Sequence, residues 1–137
     1  MTKREARERA LTALYQMDVT GVDPVEALAY RYEVEEIKPI PLSEKIVRGV
    51  VSQRETIDGI ISKYSKEWDI SRFSNVDRNI LRMAIYEMLF IESIPEKVSI
   101  NEAIELSKLY STEDAYKFIN GLLAQVIKEK KDTLSNQ

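Results

Sequence analysis

The sequence contains neither cysteine nor histidine. The first absence excludes disulfides, thiolate metal sites and cysteine nucleophiles. The second removes the commonest general base and the commonest metal ligand. Only four glycines and four prolines punctuate 137 residues, and the period-2 alternation of strands is scarce. No apolar run approaches the roughly 18 residues that span a bilayer. The N-terminus is charged where a secretory signal would be apolar, so the cytoplasm is the expected location and no membrane contact is expected. The carboxylates show no metal-loop spacing, and neither a Gly-rich phosphate loop nor a nucleophile elbow is present. An enzyme is therefore not expected, and neither a cofactor nor a metal is implied.

Hydrophobic residues make up 44% and charged residues 31%, the composition of a soluble globular chain. At this length one domain is expected, organised as two small helical halves, 1–67 and 68–137, that share a core. The net charge of -3 argues against nucleic acid when taken alone, but distribution matters more than the sum. Lys3, Arg4, Arg7 and Arg9 stand near the start against Glu5 and Glu8.

Helical periodicity dominates, and six or seven helices are expected. The first spans about Thr2 to Val19, with Ala10, Leu14 and Met17 on one stripe and Gly21 at the left-handed position past its end. Asp23 and Pro24 read as an N-cap and first helical residue, opening a helix to about Glu36. Lys38–Pro41 reads as a connector. Ser43 then caps one long helix through Ile46, Val47, Val50, Val51, Ile57, Ile60 and Ile61, whose spacing fits a buried face. Gly49 and Gly59 inside it suggest close helix packing. Trp68, Ile70 and Phe73 anchor a break. Asn75 is the expected N-cap of a nearly all-apolar central helix. Ser99 and Glu102 fit a capping box, Ser111 or Thr112 opens the last helix, and the tail from about Lys130 is expected to fray.

Lys3, Arg4 and Arg7 lie three and four residues apart, on one helical face where guanidinium forks can take phosphates. The plainer alternative is a solvated helix start with Glu5 and Arg9 paired. Tyr15, Tyr64, Tyr110, Tyr116 and Phe118 fall near helix ends or in polar surroundings. Beside cations such rings stack on unpaired bases, although packing explains any one of them equally well. Glu102 and Glu105 share a helix face, but capping accounts for Glu102 more simply.

Three strings carry a resemblance. The first is Ala6-Arg-Glu-Arg-Ala-Leu-Thr-Ala-Leu-Tyr-Gln. The second is Asn75-Val-Asp-Arg-Asn-Ile-Leu-Arg-Met-Ala-Ile-Tyr-Glu-Met. The third is Ser99-Ile-Asn-Glu-Ala-Ile-Glu-Leu-Ser-Lys, followed by Tyr110-Ser-Thr-Glu-Asp-Ala-Tyr-Lys-Phe-Ile-Asn-Gly-Leu-Leu. In order and over nearly the whole chain they resemble the NusB family of transcription antitermination factors. The resemblance implies an all-α fold of two helical bundles packed crosswise. It implies pairing with NusE, also known as small-subunit ribosomal protein ten, and joint binding of single-stranded boxA RNA in ribosomal RNA transcripts. The pair would then act in the RNA polymerase antitermination complex. By position, the RNA-contacting residues fall on Lys3, Arg4, Arg7, Tyr15, Tyr64, Asp114, Lys117, Phe118 and Asn120, with Lys117 on phosphate and Phe118 on a base. Asp114 either accepts from a base edge or complements the dipole of the last helix. The NusE contact falls on Asp77 and Arg78. The family has no catalytic residues to carry over, and the resemblance leaves a homodimer open.

Two other readings stand beside it. Some rRNA cytosine methyltransferases carry a NusB-like accessory region, a reading that requires a following Rossmann-like domain with a Gly-rich loop, which these residues do not contain. A helical protein-interaction module would ignore RNA altogether.

Overall fold

In the computed structural model the structure describes residues 1–65 and 73–135, with side chains through residue 130. Among these residues it is all-helical: α1 (Lys3–Thr20), α2 (Pro24–Glu35), α3 (Pro41–Ser52), α4 (Arg54–Ser65), α5 (Asn75–Phe90), α6 (Glu96–Tyr110) and α7 (Glu113–Ser135). The expected all-α class and upper helix count hold. Trp68, Ile70 and the expected boundary between residues 67 and 68 lie outside the described residues.

The ends of the first two helices follow the local chemistry. Thr2 caps α1 by accepting from the Glu5 N–H, and Gly21 closes it at φ 78°, a left-handed conformation in which a Cβ would be strained. Asp23 accepts from the Val25 N–H ahead of Pro24. The expected long third helix is instead two. Gln53 leaves helical geometry at φ -108°, ψ 16°, while its N–H still reaches the Gly49 carbonyl. Apolar spacing continues across such a break, so periodicity alone reads through it. Pro41 is not a connector residue but opens α3, where its missing N–H costs nothing. Ser43 does not cap; it is buried and donates to the Ala6 carbonyl at 2.6 Å, tying α3 to α1. The cap of α5 is Ser74 rather than Asn75. The capping box on Ser99 is absent because α6 begins at Glu96 with Pro95 before it. The polar tail stays helical to Ser135, and Lys130 ties it back by donating to the Met88 carbonyl and pairing with Glu96, both at 2.8 Å.

As expected, α5 is central. It is buried continuously from Asn79 to Met88 and packs on α1, α3, α4, α6 and α7. One core joins both ends of the chain, with Leu14, Ile46, Ile57 and Ile61 meeting Leu81, Ile85, Ile119 and Leu123.

Gly49 lets α3 approach α5 closely, because a Cβ there would lie 1.9 Å from Cζ of Tyr86. Gly59 has no such role, since nothing lies within 4 Å of its Cβ position. Gly49→Ala is therefore expected to cost about 1–3 kcal/mol by overpacking. Gly59→Ala is expected to gain up to about 1 kcal/mol from helix propensity. Urea denaturation of the two variants should shift the midpoint in opposite directions.

Candidate functional site

The N-terminal basic face is split by the structure. Lys3 is exposed. Arg4 is half-exposed but held by Glu102 of α6, with Nε and Nη2 donating to the two carboxylate oxygens at 3.1 Å each. The Arg4 guanidinium is held above its ordinary range by that hydrogen bond and charge, with further attraction from Glu105 and Glu8.

Arg7 is a correction. It is 2% exposed and pairs with Glu87 of α5, Nη2 to Oε1 at 2.7 Å and Nε to Oε2 at 3.0 Å. Ser99 Oγ donates to the same carboxylate at 3.2 Å. Arg7 cannot reach RNA because it falls in the buried stripe of Ala6, Ala10, Leu11 and Leu14. Sequence held the signal in two places: an arginine within that stripe, and a glutamate inside an otherwise apolar helix. The expected Glu5–Arg9 pair is also replaced. Arg9 pairs with Glu35 of α2 at 2.7 Å, which holds the Glu35 carboxyl below its usual range.

On α7 the residues Asp114, Lys117 and Asn120 are exposed and succeed one another at i,i+3, so they form one stripe. Phe118 faces away from it. Its ring lies 5.1 Å from that of Phe73, tilted by 60°, and it packs against the core. Tyr64 is half-buried, with Lys63 Nζ 5.4 Å from its ring centroid. Arg4 thus faces α6 while Phe118 faces Phe73; the structure does not bring these two to a common contact.

Tyr15 belongs to a different neighbourhood. It is 40% exposed and lines a cleft of about 230 Å³ with Glu8, Leu11, Thr12, Val76 and Tyr110. Burial, then the charge and hydrogen bond of Glu8, push the Tyr110 phenol up. Asp77 follows Val76 in the first turn of α5, where its own backbone N–H donates to Ser74 Oγ. Arg78 is turned inward, donating to Asp18 at 3.1 Å and also to Asn75, so its guanidinium is engaged within the chain.

Arg78 is one member of a charge cluster that sequence reasoning missed. Asp18, at the end of α1, is almost fully buried. It accepts from Arg82 and Asn79 at 2.9 Å and faces Arg54 at 3.7 Å. Arg82 also forks onto Asp58 of α4 at 2.8 and 2.9 Å. Its members are spread over three helices, so no spacing rule reveals them. Lys108 and Tyr116 were likewise not linked, yet the turn between α6 and α7 places Lys108 Nζ 5.4 Å from the Tyr116 ring centroid. No group of acidic side chains that could hold a metal occurs among the described residues, and no described helix is long and apolar enough to cross a membrane.

These features define the class: an all-helical module whose charged groups divide between buried ties and the exposed surface. The NusB family model matches residues 4–128, and the chain belongs to the NusB family, a family of transcription antitermination factors rather than enzymes. A transcription antitermination protein NusB from Bacillus pumilus is 44% identical over 131 residues, covering 96% of this chain and 98% of that one. A NusB from Heliobacterium modesticaldum is 46% identical over 134 residues, covering 96% of this chain and 65% of that longer relative. Among solved structures, a chain in the crystal structure of antitermination factors NusB and NusE in complex with dsRNA superposes with a TM-score of 0.82. That match is at 32% identity and covers 93% of this chain and 96% of that one.

Because Arg7 and Glu87 are both desolvated, removing one leaves the other as a buried uncompensated charge. Arg7→Ala is expected to lower stability by about 3–5 kcal/mol, read as an earlier urea midpoint. A midpoint close to that of the parent chain would contradict the buried pair.

Proposed function

We propose that the chain pairs with NusE and binds single-stranded boxA RNA of ribosomal RNA transcripts, supporting elongation by RNA polymerase within an antitermination complex. The observation that carries this is the near-complete superposition on a chain of the NusB–NusE–dsRNA structure. Lys3 and Arg4, with the Asp114–Lys117–Asn120 stripe, supply the polar RNA contacts. Tyr64 and Phe118 offer ring edges at the rim of the core. Arg7 is removed from the RNA set, and its part is to hold α1 in place.

Tyr15 is better assigned to the protein partner. It shares its cleft with Glu8 and with Val76, the residue before Asp77, and a half-exposed ring beside the Glu8 carboxylate suits an apolar and cationic protein surface. Asp77 is then the charged contact to NusE.

The test is a gel shift with boxA RNA and a scrambled control, with and without NusE. Preferential retention of boxA RNA, strengthened by NusE, is expected; equal retention of both RNAs overturns the assignment. Lys3→Ala and Lys117→Ala should each weaken binding and flatten the slope of log affinity against log salt by about 0.7, one phosphate contact on a single strand. Asp77→Lys and Tyr15→Ala should each reduce NusE capture in a pull-down while the helical circular-dichroism signal stays intact. Undiminished capture by both variants would move the partner surface elsewhere.

A further inference from the structure

We propose that Glu102 is a built-in competitor for RNA phosphate at Arg4, so that RNA gains this contact only by displacing a carboxylate. The inference rests on the RNA reading above and adds a residue to it. Glu102 takes both arms of the Arg4 fork, Nε to Oε2 and Nη2 to Oε1, each at 3.1 Å. Two parallel bonds from one guanidinium edge are what a phosphate would receive there. The carboxylate therefore occupies the phosphate's place.

The pair is also reachable and weak enough to exchange. The Arg4 side chain is 42% exposed and that of Glu102 20%. A pair at this half-buried edge keeps Arg4 in contact with water and is partly screened, so it holds far less tightly than the desolvated Arg7–Glu87 pair beneath it. Its position, by contrast, is fixed from beneath. Arg7 lies one turn beyond Arg4 on α1, and Ser99 lies one turn before Glu102 on α6. Both are bonded to the buried Glu87 carboxylate. The buried contact sets the distance between the two helices at the turn where the exposed pair forms, so Glu102 is presented to Arg4 without a search. Glu8 and Glu105 add negative potential at the same guanidinium, which disfavours an incoming phosphate but offers no second fork in this structure.

The experiment is fluorescence anisotropy of a labelled boxA oligonucleotide over a salt series, with NusE present. The parent chain is compared with Glu102→Gln, Glu102→Asp, Glu105→Gln, Arg4→Ala and the double variant Arg4→Ala/Glu102→Gln. Glu102→Gln keeps the shape and removes the charge. It is expected to tighten binding by about twofold to fivefold and to steepen the salt slope by up to about 0.7, because Arg4 then meets phosphate without a carboxylate to displace and its contact releases a full counterion. Glu102→Asp, which withdraws the carboxylate by one methylene, should fall between parent and Gln variant and serves as a second measure should the Gln variant misfold. In the Arg4→Ala background, Glu102→Gln should change nothing. Glu105→Gln should change affinity less than Glu102→Gln, with no change of slope.

A gain from Glu102→Gln that persists without Arg4 would overturn the proposal, since it would report general repulsion instead of competition. Unchanged affinity and slope in both Glu102 variants, with the parent chain binding RNA, would overturn it while leaving the RNA reading intact. Failure of every variant and of the parent to prefer boxA over scrambled RNA would overturn both.

Discussion

Two buried ion contacts of opposite polarity fix how α1 lies on α5. Near its start α1 buries a cation, Arg7, against the anion Glu87; at its end it buries an anion, Asp18, against the cation Arg82. The helices therefore run antiparallel along their contact. A reversed or slipped packing would set Arg7 near Arg82 and Asp18 near Glu87, placing like charges together in a low-dielectric interior. Apolar side chains alone accept many sliding arrangements at similar cost. A buried charge does not, because losing its partner costs several kcal/mol. The remaining bonds extend the same constraint. Ser99 brings α6 onto Glu87, and Asp58 brings α4 onto Arg82.

This explains why the fold was legible in outline and the site only in part. Apolar residues recur at helical spacing along most of the chain, most clearly in α3 and α7, and the nearly all-apolar circumference of α5 marks it as central without any tertiary knowledge. Boundaries were less secure because several residues fit more than one local role. Ser43 and Ser99 both look like caps, yet both spend their hydroxyls on tertiary bonds to Ala6 and Glu87. Serine serves either purpose equally well, and only the packing decides. The break at Gln53 escaped for a different reason: Val50, Ile57 and Ile61 keep helical spacing across it, and all three are buried.

The exposed contacts were harder to read for the same physical reason that Arg7 was misplaced. A short run of arginines announces charge but not direction. One helical turn separates Arg4, at the surface, from Arg7, in the core. The difference comes from what faces each: Glu102 at the solvent edge of α6, and Glu87 in the interior of α5. Partners about 80 and 98 positions away along the chain leave no trace in local spacing. Tyr15 shows the converse case, since its neighbour Val76 is brought to it only by the α1–α5 packing.

Electrostatic bookkeeping gives the pattern its consequence. Every arginine among the described residues stands in an ion pair within the chain, from the buried Arg7 and Arg82 to the surface Arg31 and Arg48. Counterion release rewards a cation that meets RNA with its own small ions around it; an arginine already neutralised by a carboxylate releases less. Phosphate binding at such a residue is an exchange of one anion for another, and its net gain is small. On the proposed RNA reading, exposed lysines such as Lys3 and Lys117 would carry most of the non-specific attraction, a modest amount for a chain of net charge -3. An adaptor built this way gains discrimination at low intrinsic affinity. On that reading it would hold RNA firmly only where a second protein adds cations or where the RNA engages enough contacts at once to displace the internal carboxylates.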